Sequence, residues 1–186
     1  MKFSQLPLTP DGELWVFAYG SLMWAPDFEP ARARPVLVHG WRRGFTLRST
    51  QAWGSKARPG LCASLHAGGA VAGRALLIRA AALDTALSGL ARREAAYLPC
   101  TVTGRERGKA PFPMLTFVHD YDHPRSAAGL ALAEQARLIA QGVGTRGSSL
   151  FYLRETLRQL ALDGASDRRA QELLALALKT RHVGRG

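Results

Sequence analysis

A carboxylate stands where an apolar residue would continue a helical stripe. Leu83, Leu87 and Leu90 recur at i, i+4 and i+7, and Glu94 follows four positions later. On an inward-facing stripe, desolvation disfavours the charged form of a glutamate and raises its pKa. A carboxyl group poised near neutrality can take up a proton and return it, which is general acid/base work. Glu94 also follows Arg92 and Arg93, and a glutamate at a helix end commonly turns to solvent. The spacing alone leaves both readings open.

A second feature is Tyr19-Gly20-Ser21-Leu22, directly after an apolar run. Glycine lets the chain turn sharply and lets backbone approach a ligand. Successive N–H groups in such a turn can converge on an anion or a polarised carbonyl. A plain strand-ending turn would look the same. The remaining constellations offer less. The five histidines (His39, His66, His119, His123 and His182) show no metal-ligand spacing, and Asp120, Asp122 and His123 run into the turn at Pro124. Cys62 and Cys100 are far apart and read as small buried residues rather than a disulfide or zinc pair. No phosphate-binding glycine loop or nucleophile elbow is found. No metal site and no cofactor are therefore expected.

The elements that must position these residues begin with a buried strand at Leu14–Tyr19. Further strands are expected at Val36–Trp41 and Phe45–Ser49, with a loop from Trp53 to Gly60. Leu61–Leu65 and Gly73–Ala80 read as a hairpin joined through Gly68 and Gly69. A helix is expected from about Ala82 to Ala95, stopped by Pro99. Two strands follow, Cys100–Thr103 and Met114–Val118, split by a basic loop from Gly104 to Pro113. Three helical stripes close the chain: Leu132, Ala136 and Ile139; then Leu150, Leu153, Leu157 and Leu160, with Ser148 or Ser149 as N-cap; then Ala170, Leu173, Leu174 and Ala177. Strands first and helices last imply an α+β fold: a curled mixed sheet or small barrel with packed helices and a helical C-terminal third.

The 186 residues fit a single domain, 1–186, with its core at about 14–178. An apolar content of 47% suits a globular chain. No run of about 18 apolar residues predicts a membrane helix, and the first dozen residues lack a signal-peptide pattern, so a cytoplasmic location is expected. The net charge of +11 is spread over separate segments: Arg32 and Arg34, Arg42 and Arg43, Arg105 to Lys109, and Arg168 and Arg169. It is not interleaved with stacking aromatics, so neither a nucleic acid nor a membrane is expected as partner. A solvated basic surface and steering of a small acidic substrate both fit the charge.

Several segments, in order, resemble the ChaC-like gamma-glutamylcyclotransferases. Val16-Phe17-Ala18-Tyr19-Gly20-Ser21-Leu22-Met23-Trp24 is similar to that family's opening "VFxYGSLxW" strand and turn. Arg93-Glu94 followed by Tyr97 resembles its "RE…Y" region. Arg43–Ser49, Arg58–Leu61, Thr116–Val118 with His123-Pro124, and Glu134–Ile139 with Gly142, Gly144 and Tyr152-Leu153 resemble later stretches. The family's Asn and Glu ahead of "YL" are replaced by Leu150 and Phe151. The resemblance spans about 14–178. It implies an enzyme that converts glutathione to 5-oxoproline and Cys-Gly, with Glu94 as general acid/base and no cofactor. It implies substrate binding by Tyr19, Gly20, Ser21, Leu22 and Tyr152, with the two tyrosines shaping the pocket and offering hydroxyls, and Arg48 pairing with a substrate carboxylate. Other gamma-glutamyl dipeptides or amines as substrates, and a non-catalytic gamma-glutamyl-binding protein, are the alternatives.

Overall fold

The strand β1 (Leu14–Ala18) is buried along its whole length, as its unbroken apolar run demands. It is paired on both edges. One edge runs antiparallel to β3 (Gly60–Ile78), from Leu14↔Ile78 to Ala18↔Arg74. The other runs parallel to β5 (Phe112–His119) at Val16↔Leu115. β4 (Tyr97–Arg105) pairs antiparallel with β5 from Tyr97↔His119 to Gly104↔Phe112. β2 (Arg32–Ser49) joins β4 at Leu37↔Arg105 and Val38↔Gly104. The sheet closes into a barrel in the order β1-β3-β2-β4-β5, mixed in direction. The computed structural model describes residues 5–183, so the first four residues of the lead-in and the last three of the chain lie outside the described residues.

The chain divides into two compact units. The first comprises Met1–Arg43 and Leu65–Asp120, and contains β1, β4, β5, the neighbouring parts of β2 and β3, and α1 (Leu83–Arg93). Its core includes Leu14, Val16, Phe17, Leu76, Ile78, Met114 and Phe117, all nearly or fully buried. The second comprises Gly44–Ser64 and Tyr121–Gly186 and contains α2 (Leu132–Gln141), α3 (Ser149–Leu162) and α4 (Arg168–Val183). Between α2 and α3 lies the short pair β6 (Val143–Gly144) and β7 (Gly147–Ser148). The expected stripes are the buried faces here: Ala136 and Ile139 of α2, Leu150, Leu153 and Leu160 of α3, and Ala170, Leu173 and Ala177 of α4. Ser148 caps α3 by accepting from the Phe151 N–H at 3.1 Å. The architecture is α+β with a barrel and a helical C-terminal third, as expected.

Four details depart from the sequence reading. The two strands expected at 36–41 and 45–49 are one strand, β2, which passes through Gly40 at φ +81°. The hairpin expected at Gly68 and Gly69 is absent. Both glycines have positive φ (+97° and +82°) yet lie inside the continuous β3, where they act as the irregular positions of a long strand. The loop expected at 104–113 shrinks to Glu106–Pro111, because β4 and β5 extend into it. Finally, Cys62 and Cys100 are half-buried rather than buried.

Gly73 of β3 lies close against β1. A Cβ there would meet the Ala18 carbonyl and fall 2.7 Å from Phe17 Cε2. Gly73→Ala should therefore force β1 and β3 apart and cost ~1–3 kcal/mol of stability, read as a lower urea midpoint with unchanged slope.

Candidate functional site

The site is built where β1 stops. After Ala18 the chain turns at Gly20 into a single 3-10 turn, Ser21–Met23, with Leu22 and Met23 buried. The turn closes on itself through Met23 N–H to the Gly20 carbonyl (2.9 Å) and Ala25 N–H to the Ser21 carbonyl (2.7 Å). Bonds of this kind use the donors at the end of a turn. The approach to the turn is held by side chains. The Tyr19 hydroxyl donates to the Phe117 carbonyl at 2.6 Å. Arg43, only 5% exposed, donates from Nε to the Tyr19 carbonyl at 2.6 Å and from Nη2 to the Ala72 carbonyl. Thr116 Oγ1 donates to the Phe17 carbonyl at 3.0 Å.

The second element is the end of α1. The helix stops at Arg93, two residues earlier than Ala95, and Glu94 is its C-cap at φ −99°, ψ 20°. The Glu94 N–H still donates to the Leu90 carbonyl (2.8 Å), and its own carbonyl accepts from Tyr97 N–H (3.0 Å), so two short bonds fix its backbone between α1 and β4. The side chain does not swing into solvent: it is 12% exposed. Desolvation raises its pKa from 4.5 to about 7. The positive charge of Arg93 pulls it down and the negative charge of Asp27 pushes it up.

One guanidinium joins the two elements. Arg93 Nε lies 3.3 Å from Glu94 Oε1, and Nη2 donates to Ser21 Oγ at 2.9 Å. Nη1 reaches both the Ala25 carbonyl (2.8 Å) and Asp27 Oδ2 (2.9 Å). Glu94 and the Tyr19–Leu22 turn, 72 residues apart at Arg93 and Ser21, are thus brought to the same cation.

The sequence reading gave no role to Asp27, nor to Arg43, nor to a pair of buried histidines. His66 and His119, each 3% exposed, face one another with ring centroids 4.6 Å apart. His119 is the register partner of Tyr97. Neither the histidine spacing nor the basic runs signalled these positions, because strand pairing, not sequence distance, brings them together. Among the described residues no cluster of three or more His, Cys, Asp or Glu could hold a metal ion.

Arg48 and Tyr152 belong to the second unit. Arg48 holds the loop after β5: its Nη1 donates to the Ser126 carbonyl, and its N–H to the Arg125 carbonyl at 2.9 Å. Tyr152 is 3% exposed, and its hydroxyl accepts from the Ala63 N–H at 3.3 Å. Its ring lies edge-on to Phe45 and Trp53, with centroids at 6.2 and 5.3 Å. Leu150 is buried, whereas Phe151 is 46% exposed and stacks on Trp53. The hydroxyls of Tyr19 and Tyr152 are thus both engaged with backbone.

The profile of the family described as "ChaC-like protein" matches residues 14–180. The glutathione-specific gamma-glutamylcyclotransferase of Escherichia coli (strain K12) is 31% identical over 178 residues, covering 94% of this chain and 77% of that protein. The glutathione-specific gamma-glutamylcyclotransferase 1 of Danio rerio is 30% identical over 147 residues, 75% of each chain. Among solved structures, a gamma-glutamyl cyclotransferase specific to glutathione from yeast aligns with a TM-score of 0.86 at 21% identity, over 92% of this chain and 98% of that one. At that identity the likeness concerns the fold.

Burying Glu94 has a cost that can be measured. Between pH 4.5 and about 7 the folded chain keeps a proton on Glu94 that the unfolded chain has released. Stability therefore falls as pH rises through that window, by an amount that reaches about 3 kcal/mol above it. Glu94→Gln should be more stable than the parent protein at pH 8, with the gap closing towards pH 5, in paired urea titrations.

Proposed function

The chain belongs to the ChaC-like family, and from that premise we propose that it is a glutathione-specific gamma-glutamylcyclotransferase using Glu94 as its general acid/base. The observation that carries this reading is the Glu94 carboxyl group: buried, raised to about 7, and tied through Arg93 to the turn after β1. A carboxyl group at that pKa exchanges a proton readily at neutral pH.

The chemistry is intramolecular. The free α-amine of a gamma-glutamyl amide attacks its own side-chain carbonyl and closes a five-membered ring. At neutral pH that amine is mostly an ammonium ion, which has no lone pair to offer. Ionised Glu94 takes one proton from it, and the amine nitrogen then forms a bond to the carbonyl carbon. As the tetrahedral intermediate collapses, the bond to the leaving nitrogen breaks and that nitrogen takes the proton held by Glu94, while the ring nitrogen gives its second proton to the freed carboxylate or to water and becomes a neutral lactam. Glutathione gives 5-oxoproline and Cys-Gly. The substrate supplies both nucleophile and electrophile, so the protein's contribution is folding the glutamyl chain into a near-attack geometry and moving the proton.

Gly20, Ser21 and Leu22 are proposed to receive the glutamyl moiety, their N–H groups facing the carbonyl oxygen as negative charge develops on it. Tyr19, whose hydroxyl holds the Phe117 carbonyl, shapes that turn. Tyr152 and Arg48 are proposed as substrate contacts through ring shape and guanidinium charge. The small acidic substrate also suits a chain of net charge +11. No described helix is long and apolar enough to cross a membrane. A cytoplasmic location is proposed, where the substrate's thiol is kept reduced.

Incubating the purified protein with glutathione should yield 5-oxoproline and Cys-Gly in equal amounts, and Glu94→Gln should lower the rate ~10²–10⁴-fold. The parent rate should fall about tenfold per pH unit below the Glu94 pKa, as the base is protonated. Near-normal turnover by Glu94→Gln would overturn the assignment of the base. Turnover of other gamma-glutamyl dipeptides but not glutathione would overturn the substrate.

A further inference from the structure

We propose that Arg93 is the positioning residue of this site, one cation that sets both the placement of the substrate-receiving turn and the charge state of the neighbouring carboxylate. The inference rests on the functional reading of Glu94 and goes beyond it.

Position and burial set Arg93 apart from an ordinary helix-end arginine. A cation in the last turn of a helix is favoured by the dipole and normally lies in solvent. The Arg93 side chain is 11% exposed and turned onto the segment 21–27. It uses the fork geometry that distinguishes arginine from lysine: Nη2 on Ser21 Oγ, Nη1 on the Ala25 carbonyl and Asp27 Oδ2, and Nε on Glu94 Oε1. An ammonium could supply the charge but could not span four acceptors from one plane.

The contacts divide into two tasks. Those to Ser21 and Ala25 hold the turn. Those to Asp27 and Glu94 divide one positive charge between two carboxylates. The Asp27 contact is the shorter, 2.9 against 3.3 Å, and Asp27 is 41% exposed while Glu94 is 12% exposed. The charged groups that bear on Glu94 are therefore Arg93, which favours its ionised form, and Asp27, which disfavours it. Without that guanidinium, burial and Asp27 would act unopposed and Glu94 would hold its proton to higher pH.

The test is a set of pH–rate profiles of kcat and kcat/KM for glutathione, with Glu94→Gln as reference. Arg93→Met should move the acid limb up by about 1 pH unit or more and raise KM ~10-fold, as charge and turn anchor are lost together. Arg93→Lys should restore the limb but not KM. Asp27→Asn should move the limb down. Profiles of Arg93→Met and Arg93→Lys that superimpose on the parent after scaling would reduce Arg93 to a structural residue and overturn the proposal. Should Arg93→Met fail to fold, an unmoved limb in Asp27→Asn together with a normal KM in Arg93→Lys would overturn it as well. If Glu94→Gln itself turned over normally, the reading of Glu94 would fail instead, and the two failures are told apart by that reference.

Discussion

Where β1 stops decides where everything else at the site can be. That strand has no free edge: β3 claims one side and β5 the other, in opposite directions. Its five residues are buried on both faces, so it cannot slide by one residue without exposing part of the core. The Tyr19 hydroxyl and carbonyl are then fixed to β5 and to Arg43, and the chain has to turn at Gly20. The turn's location is a result of barrel closure rather than of any preference in Gly20-Ser21.

On the other side of the site, a carboxylate is kept in surroundings that do not suit it. Burial costs an ionised glutamate more than it costs a neutral one, and the Arg93 guanidinium offsets only part of this. The backbone absorbs the conflict. Glu94 is clamped between the Leu90 carbonyl and the Tyr97 N–H, with only Ala95 and Ala96 before β4 begins. A group at odds with its surroundings, held there by a scaffold that is itself well paired, is a common arrangement at sites of chemistry.

Much of this was legible in advance, for physical reasons. The aromatic and aliphatic run ending at Tyr19 reads as a buried strand, and the leucine spacing before Glu94 puts that carboxylate in line with an inward stripe while leaving a turn to solvent open. The helical third followed from amphipathic stripes that need nothing but local periodicity. What was not legible depends on pairing at a distance. Gly68 and Gly69 carry the composition and the positive φ of a turn, yet both lie within the single strand β3. Arg43, His66 and His119 look like scattered polar residues until the barrel buries them. Arg93 was visible as a neighbour of Glu94, but its grip on Ser21, Ala25 and Asp27 requires knowing which loop lies beneath the helix end.

The parallel pairing of β1 with β5 carries a consequence for the order in which the molecule comes into being. The acceptor of the Tyr19 hydroxyl is 98 residues further along the chain, and the acceptor–donor pair Phe17 and Thr116 is 99 apart. During synthesis the first strand must wait, its apolar residues unpartnered on that side, until the end of β5 has left the ribosome. The entropy of closing so large a loop has to be overcome before this edge contributes any stabilisation, which makes it a late event in collapse. The turn after β1 therefore cannot take its final anchorage on the Phe117 carbonyl until β5 has been made.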